Sequence, residues 1–107
     1  MILLAIDTAL ASCSAALYSP AEDRILAAEQ QAMDKGHAEA IAPMVQRVLA
    51  AAGVSPRDVT RIAVTTGPGT FTGLRIGLSL AHGMATALHC PAVGSDTLTA
   101  TAAPLLA

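Results

Sequence analysis

Ile2 to Ile6 is a short continuous apolar run, the pattern of a strand buried on both faces. Asp7-Thr8-Ala9 ends it, and Ala11 to Ser19 predicts a second strand. Ser19-Pro20-Ala21-Glu22-Asp23 forms the turn, and Arg24 to Gln31 makes a third, more polar strand nearer a sheet edge. These strands predict an antiparallel meander. After a loop from Met33 to Gly36, the period changes. Ile41, Met44, Val45, Val48, Leu49 and Ala52 recur at the spacing of one helical face, which predicts a helix from His37 to Ala52. Pro43 inside it lacks a backbone donor and clashes toward Glu39, so a kink or a frayed first turn is expected. Gly53 is a natural stop. Ser55-Pro56-Arg57-Asp58 carries a cap with Pro at the first position of a single helical turn.

Arg61 to Thr65 predicts a fourth strand, feeding the turn Gly67-Pro68-Gly69. A long helical pattern then opens with Thr70 as N-cap and runs from Phe71 to about His89. Pro91 to Gly94 predicts a fifth strand and Thr97 to Ala107 a final helix weakened by Pro104. Strands alternating with helices favour parallel, right-handed crossovers. The fold class is therefore α/β, a mixed sheet covered by helices.

The helix after the glycine turn is apolar over more than one face. Thr72, Arg75, Ser79, His82, Thr86 and His89 form its polar side. Phe71, Leu74, Leu78, Ala81, Ala85 and Leu88 make a bulky stripe suited to the sheet, and Gly73, Ile76, Gly77, Leu80, Met84 and Ala87 make another. Glycines at Gly73 and Gly77 cost about 1 kcal/mol each relative to Ala. Their presence predicts close approach of another backbone. The expectation is an interface through Gly73, Ile76, Gly77, Leu80 and Met84, with Ile41 and Met44 on the preceding helix. The alternative is packing of the two helices within the chain.

Composition narrows the function. The chain has 107 residues, with 53% hydrophobic and 2% aromatic residues. One domain is expected, with a core of Ala, Val, Ile and Leu. A net charge of −2 gives no electrostatic footprint for nucleic acid. Cys13 and Cys90 have neither disulfide-framework nor metal-site spacing, and are expected to be reduced thiols in a cytoplasmic protein. The N-terminal run has no basic region and meets an acid too early for a signal peptide. No apolar run is long enough to span a bilayer, so no membrane association is expected.

Asp7 and Thr8 stand at the end of a strand, where α/β sheets place ligand groups. Gly67 and Gly69 precede a helix N-terminus, which can cradle an anion. These residues, Asp7, Thr8, Gly67 and Gly69, are the candidate anion-binding site. The competing reading is structural, with Asp7 bracing the next turn and the glycines serving geometry. Neither a P-loop nor a dinucleotide fingerprint is present, and no second acid is placed by a motif. His37, His82 and His89 are too far apart in sequence for a metal pair, and no base adjoins Ser12, Cys13 or Ser14. No catalytic and no metal-binding residue is assigned.

Gly67-Pro68-Gly69-Thr70-Phe71-Thr72-Gly73-Leu74-Arg75-Ile76-Gly77 resembles the signature of the TsaB (YeaZ) family, within the actin/sugar-kinase/Hsp70-like superfamily. Met1-Ile2-Leu3-Leu4-Ala5-Ile6-Asp7-Thr8 and Gly36-His37-Ala38-Glu39 are similar to the same family. The resemblance implies a ribonuclease-H-like lobe with a five-stranded sheet, the whole of residues 1–107 being a first lobe with the second absent. It also implies a non-catalytic scaffold that supports threonylcarbamoyl transfer to adenosine 37 of tRNA by a TsaD-like paralogue, with a TsaE-like ATPase in the complex. A homodimer is expected when the chain is alone, and contact with tRNA only through the partner. The TsaD-type histidine motif is missing at Gly94-Ser95-Asp96-Thr97-Leu98. Through the superfamily members that bind ATP, the resemblance implies that Asp7, Thr8, Gly67 and Gly69 form a nucleotide site, with ATP or ADP as a weak ligand. The rival readings are an ATP-binding phosphotransferase or ATPase lobe and a glycoprotease-like metalloprotein.

Overall fold

The structure is a computed structural model that describes residues 1–8, 12–32, 36–67 and 71–96. Strands β1 (Leu3–Asp7), β2 (Ser12–Ser19) and β3 (Arg24–Ala32) are followed by helix α1 (His37–Ala52). Then come β4 (Arg61–Gly67), helix α2 (Phe71–Leu88) and β5 (Ala92–Asp96). They form one five-stranded sheet in the order β3-β2-β1-β4-β5. The first three strands pair antiparallel, and β4 and β5 join parallel, as the alternation of strands and helices predicts. β3 is at an edge, in keeping with its polarity. The expected final helix and the Thr70 cap lie outside the described residues.

The register decides which residues meet. Leu4 lies beside Leu17 on one side and Ile62 on the other, and Ile6 lies between Ala15 and Val64. With Cys13, these side chains form one buried face. Helices α1 and α2 close over it, contributing Ile41, Met44, Val45, Val48, Leu49 and Ala81 to the same cluster. Burying each Leu- or Ile-sized side chain stabilises the fold by about 2 kcal/mol. Here the structure corrects the sequence reading: β1 alternates between buried and half-buried residues instead of being buried on both faces. Among the described residues both helices cover one face. The other presents Ala5, Ala16, Ala28 and Ala63 in a broad depression of about 1010 Å³. Ile25 (61% exposed) and Val93 (46%) stand on strands at its margins.

Local chemistry sets the ends of the elements. Gly53 takes φ 67°, and Val54 N–H returns to the Leu49 carbonyl at 3.0 Å, closing α1 with a left-handed cap. The Ser55–Asp58 capping box holds the single 3-10 turn at Pro56–Asp58. α1 begins at Gly36, whose carbonyl accepts the Ala40 N–H at 3.1 Å, and runs on through Pro43. The expected fraying of the first turn is therefore not found. Arg47 of α1 donates to Glu29 of β3, binding the edge strand to the helix above it. No helix among the described residues is long and apolar enough to cross a membrane.

Candidate functional site

Asp7, Thr8 and Gly67 gather at the carboxyl edge of the sheet, but the Asp7 and Thr8 side chains do not converge. Asp7 is half-buried at the end of β1 and belongs to the uncovered face, lining its depression with Ser14 and Thr65. The Thr65 hydroxyl donates to Asp7 Oδ1 at 3.0 Å across the parallel β1–β4 pair. Thr8, the next residue, is on the opposite side because side chains alternate along a strand. It is 1% exposed. Its hydroxyl donates to the Gly73 carbonyl in the first turn of α2 at 2.5 Å. A ligand could engage Thr8 only by releasing α2. Gly67 ends β4 and pairs in register with Asp96 of β5 after an irregularity at Thr65. Gly69 is outside the described residues.

Thr65 and Asp96 are the residues that sequence reasoning missed. Thr65 is buried and braces Asp7, and the backbone of Asp96 reaches the same edge two strands from β1. Polar residues stand near the end of each strand, Thr65-Thr66 in β4 and Ser95-Asp96 in β5, which was a legible signal. Their alignment depends on the parallel register, which periodicity does not give. The bond from Thr65 agrees with a bracing role for Asp7, although with a neighbouring strand instead of the next turn.

The expected interface divides. Met44 is fully buried and Ile41 is 2% exposed, so neither is on an exposed helix edge, and both are core residues. Gly73 and Gly77 are buried as well. A Cβ built on Gly77 would lie 2.6 Å from Thr8 Oγ1 and 3.3 Å from Val64 Cγ2. The close approach that Gly77 allows is therefore to Thr8 and Val64 of the same chain. For Gly77 this replaces the expected outside partner with the sheet, while Ile76 and Leu80 of the same stripe face α1, the intrachain packing that was the alternative. Ile76, Leu80 and Met84 are half-buried at the margin of the core. A mainly apolar groove of about 480 Å³ runs between the helices, lined by Ala38, Ile41 and Ala42 of α1 and by Arg75, Ile76, Ser79 and Leu80 of α2.

Electrostatics adds one perturbed group near Asp7. Burial, the Asp7 carboxylate and Glu29 push the Cys13 thiol above its ordinary range. Such a thiol is a poor nucleophile. Among the described residues no group of three His, Cys, Asp or Glu side chains could hold a metal ion. His37 is buried at the start of α1, and His82 and His89 are exposed on the polar side of α2 with Arg75, Ser79 and Thr86.

A family model described as TsaD, tRNA N6-adenosine threonylcarbamoyltransferase, matches residues 25–106. The tRNA threonylcarbamoyladenosine biosynthesis protein TsaB of Escherichia coli strain K12 is 41% identical over 98 residues, covering 92% of this chain and 41% of that protein. The TsaB protein of Buchnera aphidicola subsp. Schizaphis graminum is 35% identical over 97 residues, covering 91% of this chain and 45% of that one. The structure of YeaZ from Pseudomonas aeruginosa superposes with a TM-score of 0.81 at 39% identity, covering 89% of this chain and 42% of the other. The chain thus spans less than half the length of the relatives it matches.

Proposed function

Because the chain belongs to the TsaB (YeaZ) group of the tRNA N6-adenosine threonylcarbamoyltransferase family, we propose that it is a non-catalytic partner lobe. In this role it supports threonylcarbamoyl transfer to adenosine 37 of tRNA by a TsaD-type enzyme. The fold fits the first lobe of an actin-like protein, with the sheet order and the two crossovers that such a lobe has.

The observation that carries the reading is the division of the candidate ligand residues between two faces of the sheet. Asp7 is braced by Thr65 on one face, while Thr8 is committed to α2 on the other. This arrangement favours a structural use of both over phosphate chemistry. The groove between α1 and α2 offers an apolar surface to a TsaD-type protein, or to a second copy when that protein is missing. With a net charge of −2, the chain contributes little attraction for tRNA, which the partner would hold. A TsaE-type ATPase in the assembly and a cytoplasmic location complete the proposal.

The test is pull-down of the TsaD-type protein of the same organism by this chain, alongside calorimetry with ATP-Mg. Retention of the transferase and no stoichiometric heat with ATP-Mg are expected. Asp7→Ala should stay folded and retain the transferase equally well. An ATPase activity of this chain alone that Asp7→Ala abolishes would establish the phosphotransferase reading instead.

A further inference from the structure

Thr8 and Gly77 fit each other in a way that the proposed scaffold role does not require. In an α-helix the Gly73 carbonyl accepts the Gly77 N–H. The Thr8 hydroxyl donates to that same carbonyl from β1. It also lies 2.6 Å from where a Gly77 Cβ would stand. Ser and Thr within helices often turn their own hydroxyl back to the carbonyl four residues earlier. Here the hydroxyl for that carbonyl is supplied by another element of the chain, 65 residues away. Thr8 thus occupies the space of the side chain that Gly77 lacks. A buried hydroxyl costs stability unless it is hydrogen-bonded, so the bond and the vacancy at Gly77 depend on each other.

We propose that Thr8 is a positioning residue that sets the seat of α2 on the sheet, and through it the relation of α2 to α1 across the groove. The consequence for the groove rests on the docking face proposed above; the seat itself does not. The argument is steric as well as polar. A hydroxyl can approach a carbonyl oxygen to 2.5 Å as a donor. A methyl group keeps about 3.3–3.6 Å from such an oxygen. Thr8→Val keeps the volume and removes the donor, so α2 must lift from β1. Gly77→Ala lifts it by adding a carbon on the other side. Thr8→Ser keeps the donor and leaves the seat unchanged. Thr8→Ala combined with Gly77→Ala removes the hydroxyl where the new carbon arrives and leaves Val64 Cγ2 at 3.3 Å, a contact that the valine side chain relieves by giving a few tenths of an ångström, so α2 returns to its place.

The experiment determines the crystal structures of these four variants of the whole chain, with urea unfolding and sedimentation equilibrium to measure stability and association with a second copy. The expected result is α2 displaced from β1 in Thr8→Val and Gly77→Ala, and unmoved in Thr8→Ser and in the double variant. Where α2 moves, self-association should weaken by roughly tenfold, the size of effect that positions coupled to a binding face through packing can have. A folded Thr8→Val with α2 in the parental position overturns the proposal. If the single variants do not fold, the double variant decides. A folded double variant with the parental seat supports the proposal, and one no more stable than Gly77→Ala overturns it. Ile76→Glu, on the groove but away from the seat, tests the docking face separately. If it associates normally while α2 moves in Thr8→Val, the docking reading falls and the seat stands.

Discussion

Helices α1 and α2 lie on the same face of one sheet, yet they are fitted to it by opposite means. α1 presents Met44, Val45, Val48 and Leu49, and these side chains fill the space above β2 and β3. α2 presents Gly73, Gly77 and Ala81, all buried, and comes close enough for the Thr8 hydroxyl, just past β1, to bond its backbone. The volume between helix and sheet is filled from the helix in the first case. In the second, Thr8 and Val64 fill it from the strands. The two halves of the core should therefore respond with opposite sign to changes in side-chain size: α1 is sensitive to truncation and α2 to enlargement.

The largest effect is expected from Met44→Ala. It empties a fully buried site under α1 and should cost about 3 kcal/mol in urea unfolding. On α2 the matching test is Ala81→Leu, an enlargement at a residue with 0% exposure. Overpacking of this kind should cost about 2 kcal/mol. A truncation at the same residue, Ala81→Gly, should cost little beyond its helix propensity of about 1 kcal/mol. If Ala81→Leu is neutral, the two helices are not seated differently.

The helix ends sharpen the same contrast. α1 stops at a glycine with φ 67°, whereas α2 stops at His89 with φ 55°, where the Cys90 N–H returns to the Ala85 carbonyl at 3.1 Å. A left-handed conformation costs a side-chain-bearing residue about 1–2 kcal/mol. Glycine's greater freedom when unfolded cancels part of that gain. His89→Gly should raise stability by about 0.5 kcal/mol, while Gly53→Ala should lower it by about 1 kcal/mol. The smallest effect concerns pH. The Cys13 thiol is pushed above its ordinary value of 9.0 in the folded chain, so its contribution is complete below that pH. It is lost as pH rises through the folded value, because the unfolded chain then ionises first. Stability at alkaline pH should fall less in Cys13→Ala than in the parent, and native Cys13 should resist iodoacetamide.

The elements were legible because their signals are local. The period change at His37, the stops at Gly53 and Gly67, and the polar edge strand all appear within short windows of sequence. The stripes of α2 were legible too, but their orientation was not. Periodicity groups Gly73 with Gly77 and Leu74 with Leu78, yet it does not say which group meets the sheet. That depends on Thr8 and Val64, which are brought together by a β1–β4 register between residues 58 apart. Bulk was a poor guide because the strand side chains already fill the space. For the same reason Asp7 and Thr8, neighbours in sequence, read as one site but serve different faces. Ile41 and Met44 carried a core pattern from the start; assigning them to an interface required a contact that the sequence could not locate.

The central place of β1 has a consequence for how the molecule is assembled. Of the five described strands β1 is made before the others, and it is paired with β2 on one side almost at once, since the meander needs only short loops. Its other edge stays open until β4 has been made, and the Ile2–Thr60 contact that anchors that edge spans 58 residues. Closing so long a loop is entropically slow, so joining β4 to β1 sets the late step of folding. During that interval β1 offers a free apolar edge, and Leu4 and Ile6 await Ile62 and Val64. A nascent chain stalled before Arg61 would thus expose a strand edge ready to pair with another copy, which makes this the stage at which a chaperone has most to protect.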